Sequence, residues 1–223
     1  MKKKNALRKH ALDYHRHLPE EIWEHLRGLG FSDELIHRRL LGWDGNRITV
    51  PVWNEDRELA YFTYLTDPNE GPIGDVTRSD KFTPAALYGI EELSAIPSRI
   101  IIVRGAWDKL VLDSRGFKSI AVLGDSRSFK EIWAEAFQGI GQVFVSFPRS
   151  GSGHRGARRV AEVVPGARIV ELPDVTGHEE TLARYFLDHG HSREDYLRLL
   201  LIAGMRVPRD FGKQEKKDDE KKA

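Results

Sequence analysis

Residues 99–113, Arg-Ile-Ile-Ile-Val-Arg-Gly-Ala-Trp-Asp-Lys-Leu-Val-Leu-Asp, constrain this chain more than any other stretch. Ile100 to Val103 form a β-branched run with no polar alternation, the pattern of a parallel strand covered on both faces. Gly105 permits a tight turn, and Leu110 and Val111 give the next segment an apolar side. A second unit of the same kind runs from Gly141 through Phe147-Pro-Arg-Ser-Gly-Ser-Gly into a helical stretch. Strands are expected near 100–103, 119–123, 142–147 and 168–172, and helices near 107–114, 129–137, 153–164, 179–189 and 192–203. This alternation predicts an α/β fold, a mostly parallel sheet with helices on both faces. Right-handed crossovers then bring the turns after 103 and 147 to one edge, where ligands of open α/β sheets sit.

Two stretches, Val103-Arg-Gly-Ala-Trp-Asp and Phe147-Pro-Arg-Ser-Gly-Ser-Gly, resemble the Toprim domain shared by bacterial and phage primases, topoisomerases and OLD-type nucleases. The resemblance extends over roughly residues 18 to 200 and is nearest to primases, without their zinc-binding or helicase domains. It implies a Glu at 104 and Asp at 148 and 150, acids that hold magnesium in the family. This chain has Arg104, Pro148 and Ser150 instead. Magnesium is a hard cation that takes oxygen ligands. A guanidinium, a proline ring and a neutral hydroxyl do not hold it in the family's way, so no metal or other cofactor is expected.

Asp108 and Asp125 are the acids left near the predicted strand ends. Together with Glu179 they offer a displaced magnesium site under an alternative reading. Their plainer roles are an ion pair between Asp108 and Arg104, one turn apart, and a helix cap before Phe129 from Asp125, for which Ser128 competes. A positive reading is charge inversion. Arg104, Arg149, His154 and Arg155 would gather at the crevice, and Gly151, Ser152 and Gly153 would offer backbone N–H groups at a helix start, a combination suited to phosphate. Solvated loop charges are the competing reading for Arg149 and Arg155.

Before this core, residues 18–97 are expected to form a small α+β lobe. Leu18 to Leu26 and Asp33 to Leu41 read as a helical pair, the second capped by Ser32. Residues 47–53 and 59–65 read as an antiparallel pair of strands. Ala86-Leu-Tyr-Gly resembles the stretch that precedes the Toprim core in primases, and the resemblance implies that Arg78 and Lys81 contact template or nucleotide. Residues 1–17 are expected as a flexible basic end, 98–205 as the core, and 206–223 as a disordered charged tail without a hydrophobic anchor.

Composition narrows the classes. The formal net charge is +1, from 35 Lys and Arg against 34 Asp and Glu, so any basic patch must be local. There is no cysteine, which excludes disulfides and cysteine zinc ribbons. No apolar run approaches the roughly 20 residues of a membrane helix, and the Lys-rich start lacks the apolar stretch of a signal peptide. A cytoplasmic bacterial or phage protein, without membrane contact, is expected. His15-Arg-His17 and His189-Gly-His191 have ligand-like spacing but no third ligand, so surface histidines are expected there.

Three functions compete. The first is a catalytically degenerate primase-like protein that binds nucleic acid, single-stranded DNA or RNA, or a phosphate-bearing ligand, in a replication, mobile-element or phage-related assembly. The second is an active metal-dependent primase or nuclease using the displaced acids. The third is a scaffold subunit that binds no nucleic acid.

Overall fold

The computed structural model describes residues 2–76, 87–124, 129–174 and 180–205. Two sheets are built. A three-stranded antiparallel sheet has the order β1-β2-β3, from β1 (Gly42–Trp43), β2 (Ile48–Trp53) and β3 (Leu59–Leu65). A five-stranded sheet has the order β4-β6-β5-β7-β8, from β4 (Leu87–Tyr88), β5 (Arg99–Arg104), β6 (Ser119–Val122), β7 (Gln142–Ser146) and β8 (Arg168–Ile169). β5 is parallel to both β6 and β7, and β7 to β8; only the edge strand β4 runs antiparallel. This is the expected mixed α/β class with a small antiparallel lobe.

The central strand shows why a continuous apolar run was needed. Ile101 and Val103 enter one hydrophobic core, with α4 (Ala106–Ser114), α6 (Arg193–Met205) and the helical pair α2 (Glu20–Gly28) and α3 (Asp33–Arg39). Ile100 and Ile102 enter a second core on the opposite face, with Ala157 and Val160 of α5 (Gly151–Val163) and with Phe129, Trp133 and Phe137. Successive side chains of a strand point to opposite faces, so a strand covered on both sides must be apolar throughout.

Several local expectations are corrected. The basic start is a helix, α1 (Lys2–Arg16), rather than a flexible end. Ala11 is fully buried against Leu59 and Phe62, and Tyr14 meets Phe62 edge-on at 5.4 Å. The backbone of α1 at Tyr14 crosses Gly42 so closely that a Cβ at 42 would overlap it. Residues 131–137 form a 3-10 helix, not an α-helix, and 184–188 a π-helical turn. β8 is only two residues long. The tail 206–223 lies outside the described residues.

Candidate nucleic-acid interface

The register places the two Gly-rich turns side by side. Val103 pairs with Ser146 and Arg104 with Val122, so β5, β6 and β7 end level at one edge. At that edge Arg104 leaves β5 half-buried and donates from Nη1 to the Ser152 hydroxyl, 3.3 Å away on the first turn of α5. Thus Arg104 bridges the end of one strand and the helix that follows the other.

Pro148 is buried and its carbonyl accepts from the Ser150 amide at 2.9 Å. Ser150 is the cap of α5: its hydroxyl accepts from the Gly153 amide at 3.1 Å and lies 3.2 Å from the Ser152 hydroxyl. A cap of this kind satisfies one amide of the first turn and leaves those of Gly151 and Ser152 without intrahelical acceptors. Gly153 is a close-approach position, because a Cβ there would collide with the Pro148 carbonyl. The helix can therefore start hard against the strand end.

Arg149 is turned elsewhere. Its guanidinium donates to the Leu172 carbonyl and to Asp174, each at 3.1 Å, and its amide donates to Glu180 O at 2.7 Å. His154 and Arg155 are exposed on α5. Arg155 leans back over the first turn, with Nη1 3.4 Å from where a Gly151 Cβ would stand. Helical side chains characteristically tilt toward the helix N-terminus in this way.

The acids near the edge are engaged internally. Asp108 is 4% exposed, and its Oδ1 accepts from the Ala183 amide at 2.9 Å. Glu180 is 1% exposed and meets His189 Nε2 at 3.2 Å. No three His, Asp or Glu side chains converge in a metal-holding geometry among the described residues. A hard divalent cation does not fit the side chains present at 104, 148 and 150. Arg78, Lys81, Asp125, Ser128 and Glu179 lie outside the described residues.

One acid at the edge went unread in the sequence. Asp75, in the loop after β3, accepts from the Ala106 amide at 2.7 Å and the Trp107 amide at 3.2 Å, and so caps α4 from the other lobe. The residue is exposed, and its carboxylate lies over the start of α4. It fills the space over Gly105 that a Cβ would need, and Gly105 adopts a φ of +88° that favours glycine. Desolvation pushes this carboxyl up to about 6, against the pull of the two amides and of Arg104. Asp75 could be read only as a turn residue because its partners are some thirty positions away in sequence.

Also unread were Arg158 and Arg159. Both are exposed on α5, one turn beyond His154 and Arg155. The histidine pairs serve packing rather than solvation alone. His15 Nδ1 lies 2.6 Å from Leu41 O and its Nε2 2.8 Å from His37 Nδ1, joining α1 to α3; His191 stacks on Tyr185.

Comparison with solved structures identifies the fold. The chain superposes on a DnaG catalytic core with a TM-score of 0.70 at 18% identity, over 90% of this chain and 79% of the other. It matches a DnaG primase catalytic domain bound to single-stranded DNA with a TM-score of 0.70 at 17% identity, over 90% and 80%. The Escherichia coli primase catalytic core gives 0.65 at 20% identity, over 86% and 77%. The fold is of the primase catalytic-core type. No protein-family model matches the chain, and no curated protein sequence does.

Proposed function

We propose that this chain is a primase-like Toprim protein that binds single-stranded nucleic acid, or another phosphate-bearing ligand, at the shared edge of β5 and β7, and that it lacks the family's metal-dependent chemistry. The observation that carries this reading is Arg104. It stands at the strand end where the resemblance calls for a carboxylate, it is held by Ser152, and it faces a helix start at which the Gly151 and Ser152 amides have no intrahelical acceptor. Guanidinium and helix N-terminus together favour an anion. Pro148 is buried and Ser150 caps a helix, so neither position is left with an acid to hold a cation. One structural neighbour is bound to single-stranded DNA, which supports nucleic acid as the anion. A replication, mobile-element or phage-related assembly is the setting proposed.

Two assays test this. Wild-type protein should bind a short single-stranded oligonucleotide in fluorescence anisotropy, with affinity falling steeply as salt rises, because each neutralised phosphate releases counterion. It should make no primers with magnesium or manganese. Restoring acids together, Arg104→Glu with Pro148→Asp and Ser150→Asp, should create metal binding measurable by calorimetry. Manganese-dependent primer synthesis by the wild type, abolished in Asp108→Asn, would overturn the degenerate reading. Absence of any salt-dependent binding would leave the fold as a scaffold.

A further inference from the structure

The outer face of α5 is strongly basic, and no side-chain contact among the described residues explains its charge. His154, Arg155, Arg158 and Arg159 are exposed, and none of their side chains has a hydrogen bond or ion pair among the described residues. The inner face of the same helix, Gly153, Gly156, Ala157 and Val160, is buried. The first turn carries no acid, and Glu162 in the last turn is the helix's single one. Leaving three guanidiniums this close without counter-charge costs mutual repulsion. A globular surface ordinarily intersperses both signs, as the nearly balanced totals of this chain would allow.

The row has a direction. Ser152, Arg155 and Arg159 are spaced i, i+3 and i+7, one helical face at one-turn steps of about 5.4 Å. Ser152 is the residue that receives Arg104. Arg104, Arg155 and Arg159 therefore form a line that starts at the strand ends and climbs the helix, with His154 and Arg158 flanking it. We infer that this line is a track for the sugar–phosphate backbone of single-stranded nucleic acid, leading away from the β5–β7 edge along α5. It rests on the proposed nucleic-acid reading and adds a path and two residues, Arg158 and Arg159.

The chemistry of the face selects the partner. A protein partner would seek apolar anchors inside a polar rim. The large exposed hydrophobics, Leu12, Ile96, Ile132, Leu201, Ile202 and Met205, all lie on other elements. The α5 face offers charge without an apolar patch, which suits phosphates and gives no means of reading bases. Binding along it is sequence-independent.

The test compares two strand lengths, since single-stranded site sizes run from about 4 to about 16 nucleotides. Anisotropy is measured over a salt series with an oligonucleotide of about 4 and one of about 12 nucleotides. The full chain is used, as wild type and as Arg158→Ala with Arg159→Ala. On the longer strand the double variant should flatten the log–log salt slope by roughly 1.4, two contacts at about 0.7 each. On the shorter strand, which fills only the edge, it should match wild type. Arg158→Lys with Arg159→Lys should keep the wild-type slope, because ammonium neutralises phosphate equally well. Both residues are exposed, so urea midpoints should not move. An unchanged slope on the longer strand in the alanine variant would overturn the track while leaving the edge site standing. Loss of all wild-type binding would overturn the edge reading and the track with it. Tight binding of a polyglutamate peptide without oligonucleotide binding would assign the face to an acidic protein and overturn the proposal.

Discussion

Two groups of charge, one at α4 and one along α5 on the opposite face of the sheet, are built on opposite rules. At α4, where it meets the N-terminal lobe, the buried charges are matched. Arg39 donates to Glu91 at 2.7 Å, to Glu92 at 2.6 Å and to Asp113 at 2.9 Å; Lys109 donates to Asp113 at 3.0 Å; Lys118 donates to Glu92 at 2.8 Å. Lys109 is fully buried and Arg39 nearly so. At the start of α5 and along it, Arg155, Arg158 and Arg159 stand exposed with no acid on them among the described residues. Charge taken out of water must be paired within the fold, and the junction obeys that. Charge left in water without counter-charge is free for a partner. The contrast separates charge that joins the lobes from charge left open to solvent.

The comparison breaks most visibly at Asp113. Its carboxylate, 3% exposed, receives both Arg39 and Lys109. Asp113→Asn leaves two buried cations short of an anion and should destabilise the protein by about 3–5 kcal/mol, read as a lowered urea midpoint. Arg159→Ala on the other side of the comparison should leave that midpoint in place. Equal losses from both changes would mean that the α5 row is structural after all.

At the strand ends, Gly153→Ala comes next in size. A Cβ would strike the Pro148 carbonyl, which is backbone and cannot swing aside. Overpacking of this kind costs about 1–3 kcal/mol. Moving the α5 start would also draw Ser152 away from Arg104, so oligonucleotide affinity should fall as well. Stability lost with affinity intact would separate the binding edge from the helix start.

The sheet was legible in the sequence because a doubly covered strand leaves no room for polar alternation, and Ile100 to Val103 and Val143 to Val145 show none. The level ends of β5 and β7 followed from the handedness of the crossovers. What escaped was carried by tertiary contact. α1 buries little beyond Ala11 among its described side chains, so its sequence looks like a solvated basic end. β4 is two residues long, too short for any period to show. Arg104 was legible as the wrong charge in the right place. Arg149 was legible as a basic residue, but nothing local told that Asp174 and Leu172 O would hold it. Asp75 capping α4 from another lobe has no local signature at all. Arg158 and Arg159 were visible as letters, and only the buried opposite face of α5 gives them meaning.

Acid titration offers a finer cut. At the junction, burial acts to raise the Glu92 carboxyl, but Lys118, Lys109 and Arg39 overcome it and hold it at about 2, below its ordinary 4.5. A depressed folded pKa gives stability that is present above about pH 4.5 and is lost as pH falls toward 2. The thermal midpoint should therefore drop across that window, and Glu92→Gln should flatten this part of the profile while lowering the midpoint at neutral pH. An unchanged acid limb in the variant would remove Glu92 from the network's account.

The smallest expected effect belongs to Asp75, an acid that the structure places beside Arg104. Its carboxyl is raised to about 6 rather than lowered, so its sign is opposite to that of Glu92. The folded state favours the protonated form, and the stabilisation this gives is present below about 3.8 and fades as pH rises through 6. For the edge site the consequence is repulsion: above pH 6 Asp75 sets a negative charge next to the guanidinium that would receive phosphate. Asp75→Asn keeps an oxygen to cap α4 and removes that charge. At pH 7.5 it should tighten oligonucleotide binding by no more than about 1 kcal/mol, several-fold in affinity. The gain should shrink as pH falls through 6, where wild-type Asp75 becomes neutral. His154 sits at the same edge, so both proteins are compared in a His154→Gln background. A gain that persists unchanged at pH 5 would show that Asp75 acts by holding the loop and not by its charge. Weaker binding in the variant would show that the capped α4 start is itself needed to keep Arg104 at the edge.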